Sequence, residues 1–152
     1  MIKTELCDLL GIKYPIIQAG MGPFSTNNLC VAAANAGVLG IISSFGMGIG
    51  QVIWPSIIER LFGKGATEEL VKRSIRRTKE LTKESGGIFG LNCLVSQEIL
   101  PFAEKIIGAT LDEVKNDSEV AKRLRVIITS AGNPTPWAEA IGKSGVKWFH
   151  VV

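Results

Sequence analysis

Two hydrophobic periods alternate along this chain. Short apolar runs end in glycine or small polar residues, and between them apolar positions recur every three or four residues. The runs predict buried strands and the intervening stretches predict helices. Strands are expected over 16–19, 38–43, 88–95, 125–129 and 146–152. A short helix over 5–10 is stopped by Gly11. Ser25 or Thr26 can cap a helix that runs to about Asn35 and is closed by Gly37. Residues 45–50 read as a glycine-punctuated loop, and 51–62 as an extra helix broken near Pro55.

The clearest helix begins at Thr67. Glu68 and Glu69 lie in its first turn and Lys79 and Lys83 in its last, which suits the helix dipole. Val71, Ile75, Thr78 and Thr82 make its inward stripe, and Gly86-Gly87 ends it. Further helices are expected over 97–107 and 111–124, the second with a break at Asn116-Asp117. Pro136 opens a last helix whose buried face is Trp137, Ala140, Ile141 and Ser144, and Gly145 stops it.

Strands thus alternate with helices five times, which dictates a parallel sheet in an α/β fold. The pattern stops inside a strand at Val152. A TIM-type (β/α)8 barrel takes about 250 residues. The expectation is therefore a single barrel domain of which residues 1–152 supply the N-terminal part, about the first five strands.

Composition narrows this picture little. The 152 residues are 46% hydrophobic and carry a net charge of +3, enough for one globular domain with a core and too little charge to imply a nucleic-acid partner. Basic residues gather mainly over 72–83, interleaved with acids, and read as a solvated helix face. Cys7, Cys30 and Cys93 are far apart in sequence and odd in number, so no disulfide framework or metal spacing follows. They read as reduced, partly buried thiols in a cytoplasmic protein. No signal peptide is expected at the N-terminus. From Tyr14 to Ile58 there is no charged residue and no histidine. Glycines, asparagines and Pro23 interrupt that segment too often for a membrane span, so it is expected to be covered on most sides by strands and a helix.

Candidate chemistry gathers where strands end. Tyr14-Pro-Ile-Ile-Gln-Ala-Gly-Met-Gly22 joins an apolar run to a small-residue loop that a ligand's atoms can approach closely. Gly20-Met-Gly22 superficially matches a dinucleotide fingerprint, but the last glycine is missing and no acid follows until Glu59. P-loop, zinc-protease and nucleophile-elbow motifs are absent. The lone histidine, His150, lies in an apolar strand and reads as structural rather than catalytic. The loops 19–22, 43–46, 92–96 and 130–134 would converge on one barrel mouth. They offer backbone N–H groups, one amide, hydroxyls and sulfur but no fixed charge. Such a surface suits a flat, polar-edged cofactor that brings its own chemistry.

Pro15-Ile-Ile-Gln-Ala-Gly-Met-Gly22, Asn35-Ala-Gly-Val-Leu-Gly-Ile-Ile42, the helix segment Ile75-Arg-Arg-Thr-Lys-Glu-Leu-Thr82 and Phe89-Gly-Leu-Asn92 together resemble the nitronate monooxygenase (2-nitropropane dioxygenase) family. That family includes FMN-dependent enoyl-acyl-carrier-protein reductases. The resemblance implies a TIM-type barrel holding FMN non-covalently at its mouth. It places Ala19, Gly20, Met21 and Gly22 along the flavin ring, Asn92 in a hydrogen bond to the cofactor, and Ala131 and Gly132 nearby. It implies no metal and no catalytic residue within this chain, since the family histidine and the phosphate loops are expected beyond Val152. The chain alone is expected to be inactive.

Activity then divides three ways. A nitronate monooxygenase would oxidise alkyl nitronates with oxygen. An enoyl reductase would take electrons from NAD(P)H, and Thr129-Ser-Ala-Gly-Asn-Pro134 resembles that group. A non-catalytic half barrel would serve as an assembly module, its open edges pairing with another copy. The resemblance favours a small-molecule substrate, allows a homo-oligomer, and gives no reason to expect a membrane.

Overall fold

The computed structural model describes residues 2–23 and 26–152. The capping role expected of Ser25 lies outside the described residues, and so does the side chain of Thr26. The elements in chain order are helix α1 (Glu5–Leu10), α2 (Thr26–Asn35), strand β1 (Gly40–Ser43), α3 (Gly50–Ile53), α4 (Pro55–Phe62), α5 (Thr67–Leu81), β2 (Phe89–Leu94), α6 (Leu100–Asn116), α7 (Ser118–Arg123), β3 (Leu124–Ser130), α8 (Ala138–Ser144) and β4 (Lys147–Val151).

The four strands form one parallel sheet in the order β1-β2-β3-β4. Each strand is added on the same side of its predecessor, with helical segments between. Sequential parallel order with no reversal is the winding of a (β/α) barrel. A dinucleotide-binding sheet would reverse at a switch point. The sheet is thus an arc of a TIM-type barrel.

Its two faces carry different cores, because side chains alternate along each strand. Ile42, Leu91, Cys93 and Ile127 pack with Cys30 of α2, Val71 and Ile75 of α5, Ile107 of α6 and Ile141 of α8. That is the helix-covered face. Ile41 and Val126 point the other way, into a second cluster with Cys7, Leu10, Ile12 and Leu39, against which Phe149 and Ile128 pack. Helix α1 therefore closes the interior face near the strand starts. Gly40 lets α2 lie flat on the sheet: a Cβ there would stand 2.2 Å from the Cys30 carbonyl oxygen.

The strand expected over 16–19 is reduced to a single parallel bridge, Ile17 to Leu39. The main chain makes two ladder bonds, Gln18 N–H to Leu39 O and Leu39 N–H to Ile16 O. The next donor, Ile41 N–H, goes instead to the Gln18 side-chain Oε1 at 2.8 Å. The ladder ends because a side chain has taken the acceptor's place.

Other expectations shift for equally local reasons. The break expected at Asn116-Asp117 is present, but the gap expected between 107 and 111 is not: α6 runs on through Gly108 because Ala109 and Thr110 are buried on the same face as Ile106. Asp117 then caps α7, its Oδ1 accepting from Glu119 N–H at 2.9 Å and Val120 N–H at 3.1 Å. Ala140 is exposed, not buried, because the helix opens with a tight 3-10 turn, Thr135–Trp137, that rotates the later positions. The basic stretch on α5 is more than a solvated face. Lys72, Arg76 and Lys79 pair with Asp112, Glu113 and Asp117 on the neighbouring helical segment. Glu113 and Arg123 are buried in that seam.

The uncharged segment is covered through 39–50, but residues 19–22 and 52–54 are exposed. All three cysteines are free and buried. Among the described residues no helix is long and apolar enough to cross a membrane.

Candidate functional site

The interior face of the sheet turns polar at its C-terminal end. Ser43, Asn92 and Ile128 are register partners across β1, β2 and β3, and Ser130 lies one position further along the same face of β3. Asn92 is half-buried. Its Nδ2 donates to Ile128 O at 3.3 Å and to Ser130 Oγ at 3.2 Å. That commits the amide nitrogen to β3 and leaves Oδ1 as the acceptor for a further donor.

The loop 19–22 arrives over this amide. A Cβ at Gly20 would stand 2.9 Å from Asn92 Cβ and 3.2 Å from Ile41 Cγ2. The chain has thus crossed the interior face of β1 to reach β2, and only glycine fits the crossing. The structure brings Gly20 and Asn92 together, with Ala19, Met21 and Gly22 exposed around them.

The loop after β3 is pinned to the end of β2. Val95 N–H donates to Ser130 O at 2.8 Å. A Cβ at Gly132 would meet the Val95 carbonyl oxygen at 2.3 Å, so this position too accepts only glycine. Between them Ala131 holds φ at +59°, the one non-glycine residue in the left-handed region among the described residues. That conformation costs about 1–2 kcal/mol and is typical of ligand-contacting turns. Ala131 and Gly132 are both exposed.

No charged side chain stands among Ala19, Gly20, Met21, Gly22, Ser43, Asn92, Ser130, Ala131 and Gly132. Among the described residues no three His, Cys, Asp or Glu side chains converge as metal ligands. His150 lies on the opposite, helix-facing side. It is in register with Thr129, and its Nδ1 meets Thr129 Oγ1 at 2.9 Å, while Trp148 Nε1 donates to the same oxygen at 2.9 Å. Cys93 also points to that side, and burial pushes its thiol up to about 12, the Ser44 hydroxyl pulling slightly the other way. Neither residue can serve as a base or nucleophile at the strand ends.

Sequence reasoning missed two members of this cluster. Ser130 read as the start of a loop, whereas it closes β3 and holds Asn92. Gln18 reads only as part of the strand-to-glycine junction, whereas its side chain bonds Ile41 N–H. The signal was there, since it is the one long polar side chain in an apolar run.

An all-parallel sheet arc with an uncharged, glycine-lined mouth is the frame of a (β/α) barrel. Comparison with known proteins agrees. Residues 3–140 match the family model for nitronate monooxygenase, and the chain belongs to that family. It is 41% identical over 51 residues to a (3aS,4S,5R,7aS)-5-hydroxy-7a-methyl-1-oxo-octahydro-1H-indene-4-carboxyl-CoA dehydrogenase of Mycobacterium tuberculosis, 34% of this chain and 14% of that protein. A probable nitronate monooxygenase of Staphylococcus saprophyticus is 46% identical over 43 residues, 28% of this chain and 12% of that protein. The structure of FabK from Thermotoga maritima superposes with a TM-score of 0.70 at 24% identity, covering 100% of this chain and 38% of that one. The chain therefore spans well under half the length of these relatives.

Proposed function

We propose that this chain forms one side of an FMN site in an oxidoreductase that oxidises alkyl nitronates with oxygen. The observation that carries the reading is the junction of Gly20 with Asn92 at an uncharged mouth, in a chain whose residues 3–140 match the nitronate monooxygenase model. The residues present fit a flavin ring: a flat face needs a close-approaching glycine backbone, and its polar edge needs neutral partners. The exposed stretch Ala19, Gly20, Met21, Gly22 supplies such a backbone, Asn92 Oδ1 an acceptor, and Ala131 and Gly132 a second exposed turn. Bound FMN would supply the redox chemistry.

The chain's own contribution is to orient and to exclude charge. A nitronate is already an anion, its α-proton gone, so its oxidation asks no base of these residues. That matches a mouth without a titratable group. The test is a flavin spectrum and nitronate-dependent oxygen uptake by the protein that carries this chain. A colourless protein that FMN cannot reconstitute would defeat the reading.

A second reading has its own support. Ala131-Gly132-Asn133-Pro134 resembles the enoyl-reductase form, and the mycobacterial relative acts on a CoA thioester by its name. On that reading NAD(P)H bleaches the flavin and an enoyl thioester reoxidises it. Bleaching by nitronate alone favours the first reading; bleaching only by NAD(P)H favours the second.

A further inference from the structure

We infer that Gln18 is a positioning residue that detaches the loop 19–22 from the sheet and aims it across the mouth; its consequence for FMN rests on the reading above. Three observations carry it. The main chain of 16–18 pairs with Leu39 in regular parallel fashion. A regular ladder would next offer the Gln18 carbonyl to Ile41 N–H. Instead Gln18 Oε1 accepts that proton at 2.8 Å, and Gln18 Nε2 donates to the carbonyl of Ala19. Two residues on, Gly20 lies over Ile41 and Asn92 rather than beside β1.

These observations fit one device. If the chain simply left the sheet, the N–H of Ile41, a fully buried residue, would be unpaired. The side-chain amide stands in for its own main chain, so the departure leaves no orphan donor. Its other end grips Ala19 O and fixes the direction in which the loop sets out. Few side chains can do both. Glutamate keeps the acceptor but would set a carboxylate oxygen against Ala19 O. Leucine or alanine keeps neither.

The test uses Gln18→Ala and Gln18→Glu in the full protein, with two readouts. The first is amide hydrogen exchange at Ile41 without added FMN. Gln18→Ala is expected to speed it about tenfold or more, the effect of one lost hydrogen bond, and Gln18→Glu to restore most of the protection. The second is FMN affinity, followed with the position of the flavin absorption band. Both variants are expected to weaken binding about tenfold or more and to shift the band, because both release Ala19.

Unchanged Ile41 exchange in Gln18→Ala overturns the inference. So does an FMN affinity that follows Ile41 protection and recovers fully in Gln18→Glu, since the grip on Ala19 would then be idle. If Gln18→Ala fails to fold, Gln18→Glu alone decides, through protected Ile41 with weakened or intact FMN binding. If the wild-type protein binds no FMN, the functional reading falls while the exchange readout still judges Gln18.

Discussion

Gly20 lies directly over Asn92, so near that a Cβ on residue 20 would stand 2.9 Å from the Asn92 Cβ. Asn92 cannot yield, because its Nδ2 is tied to Ile128 O and Ser130 Oγ. A Gly20→Ala chain must therefore lift its loop. The strain costs about 1–3 kcal/mol, and Met21 and Gly22 move with it. Thermal melts are expected to show the smaller loss, and FMN titration the larger one, about tenfold or more for a shift of this size. Unaltered FMN affinity in a folded Gly20→Ala protein would separate this crossing from the cofactor.

Asn92 is itself testable from the β3 side. Asn92→Ala removes two hydrogen bonds, each contributing about 0.5–1.5 kcal/mol, and leaves Ser130 Oγ without that donor. The urea midpoint should fall accordingly. Asn92→Asp is nearly isosteric but turns an oxygen toward Ile128 O, so at neutral pH it should be no more stable than the alanine variant. A wild-type midpoint for Asn92→Asp would mean that the amide nitrogen does not hold β3.

The barrel arc was legible because most strands are built on short apolar runs and several helices are closed by a glycine, as Gly11, Gly37 and Gly145 show with φ of 78°, 89° and 78°. The resemblance marks Gly20 and Asn92 as candidate site residues, and the structure adds that they lie against each other. What could not be read is anything set by non-local geometry. That Gln18 caps Ile41, that Lys79 reaches Asp117 from another helix, and that His150 faces outward all depend on partners 20 or more positions away in sequence. Alternation gave two faces for β4, and only the register Thr129 to His150 chose between them. The exposure of 52–54 was also hidden, since an uncharged stretch reads the same whether covered or not.

Acid should loosen the seam between α5 and α6. Lys79 Nζ, 2.8 Å from Asp117 Oδ2, is the main cause holding that carboxyl below its ordinary value of 3.8, with the Val120 and Glu119 N–H groups helping. A depressed carboxyl stabilises the fold fully above its unfolded value and loses that contribution as pH falls through the folded one. Asp117→Asn keeps a fair helix cap but no charge. It should be less stable than wild type by about 1 kcal/mol at neutral pH, with the gap closing as pH drops below 3.8. Chemical denaturation across that range checks it, and a constant gap would refute the assignment.

His150 supplies the sharpest division between structure and chemistry. It is the only histidine in the chain and stands in β4, so a catalytic role is the natural suspicion. Yet its Nδ1 bonds Thr129 Oγ1, on the face opposite Asn92 and Ser130. Thr129 is fully buried and also accepts from Trp148, so the three side chains form one structural knot. His150→Phe removes a hydrogen bond and should cost about 1 kcal/mol. Flavin reduction by substrate, followed by stopped flow in the protein that carries this chain, should stay within about twofold of wild type, since no group at the mouth is removed. The pH profile of that step should also be unchanged. A loss of two or more orders of magnitude at unchanged stability would place His150 in the reaction and overturn its outward orientation.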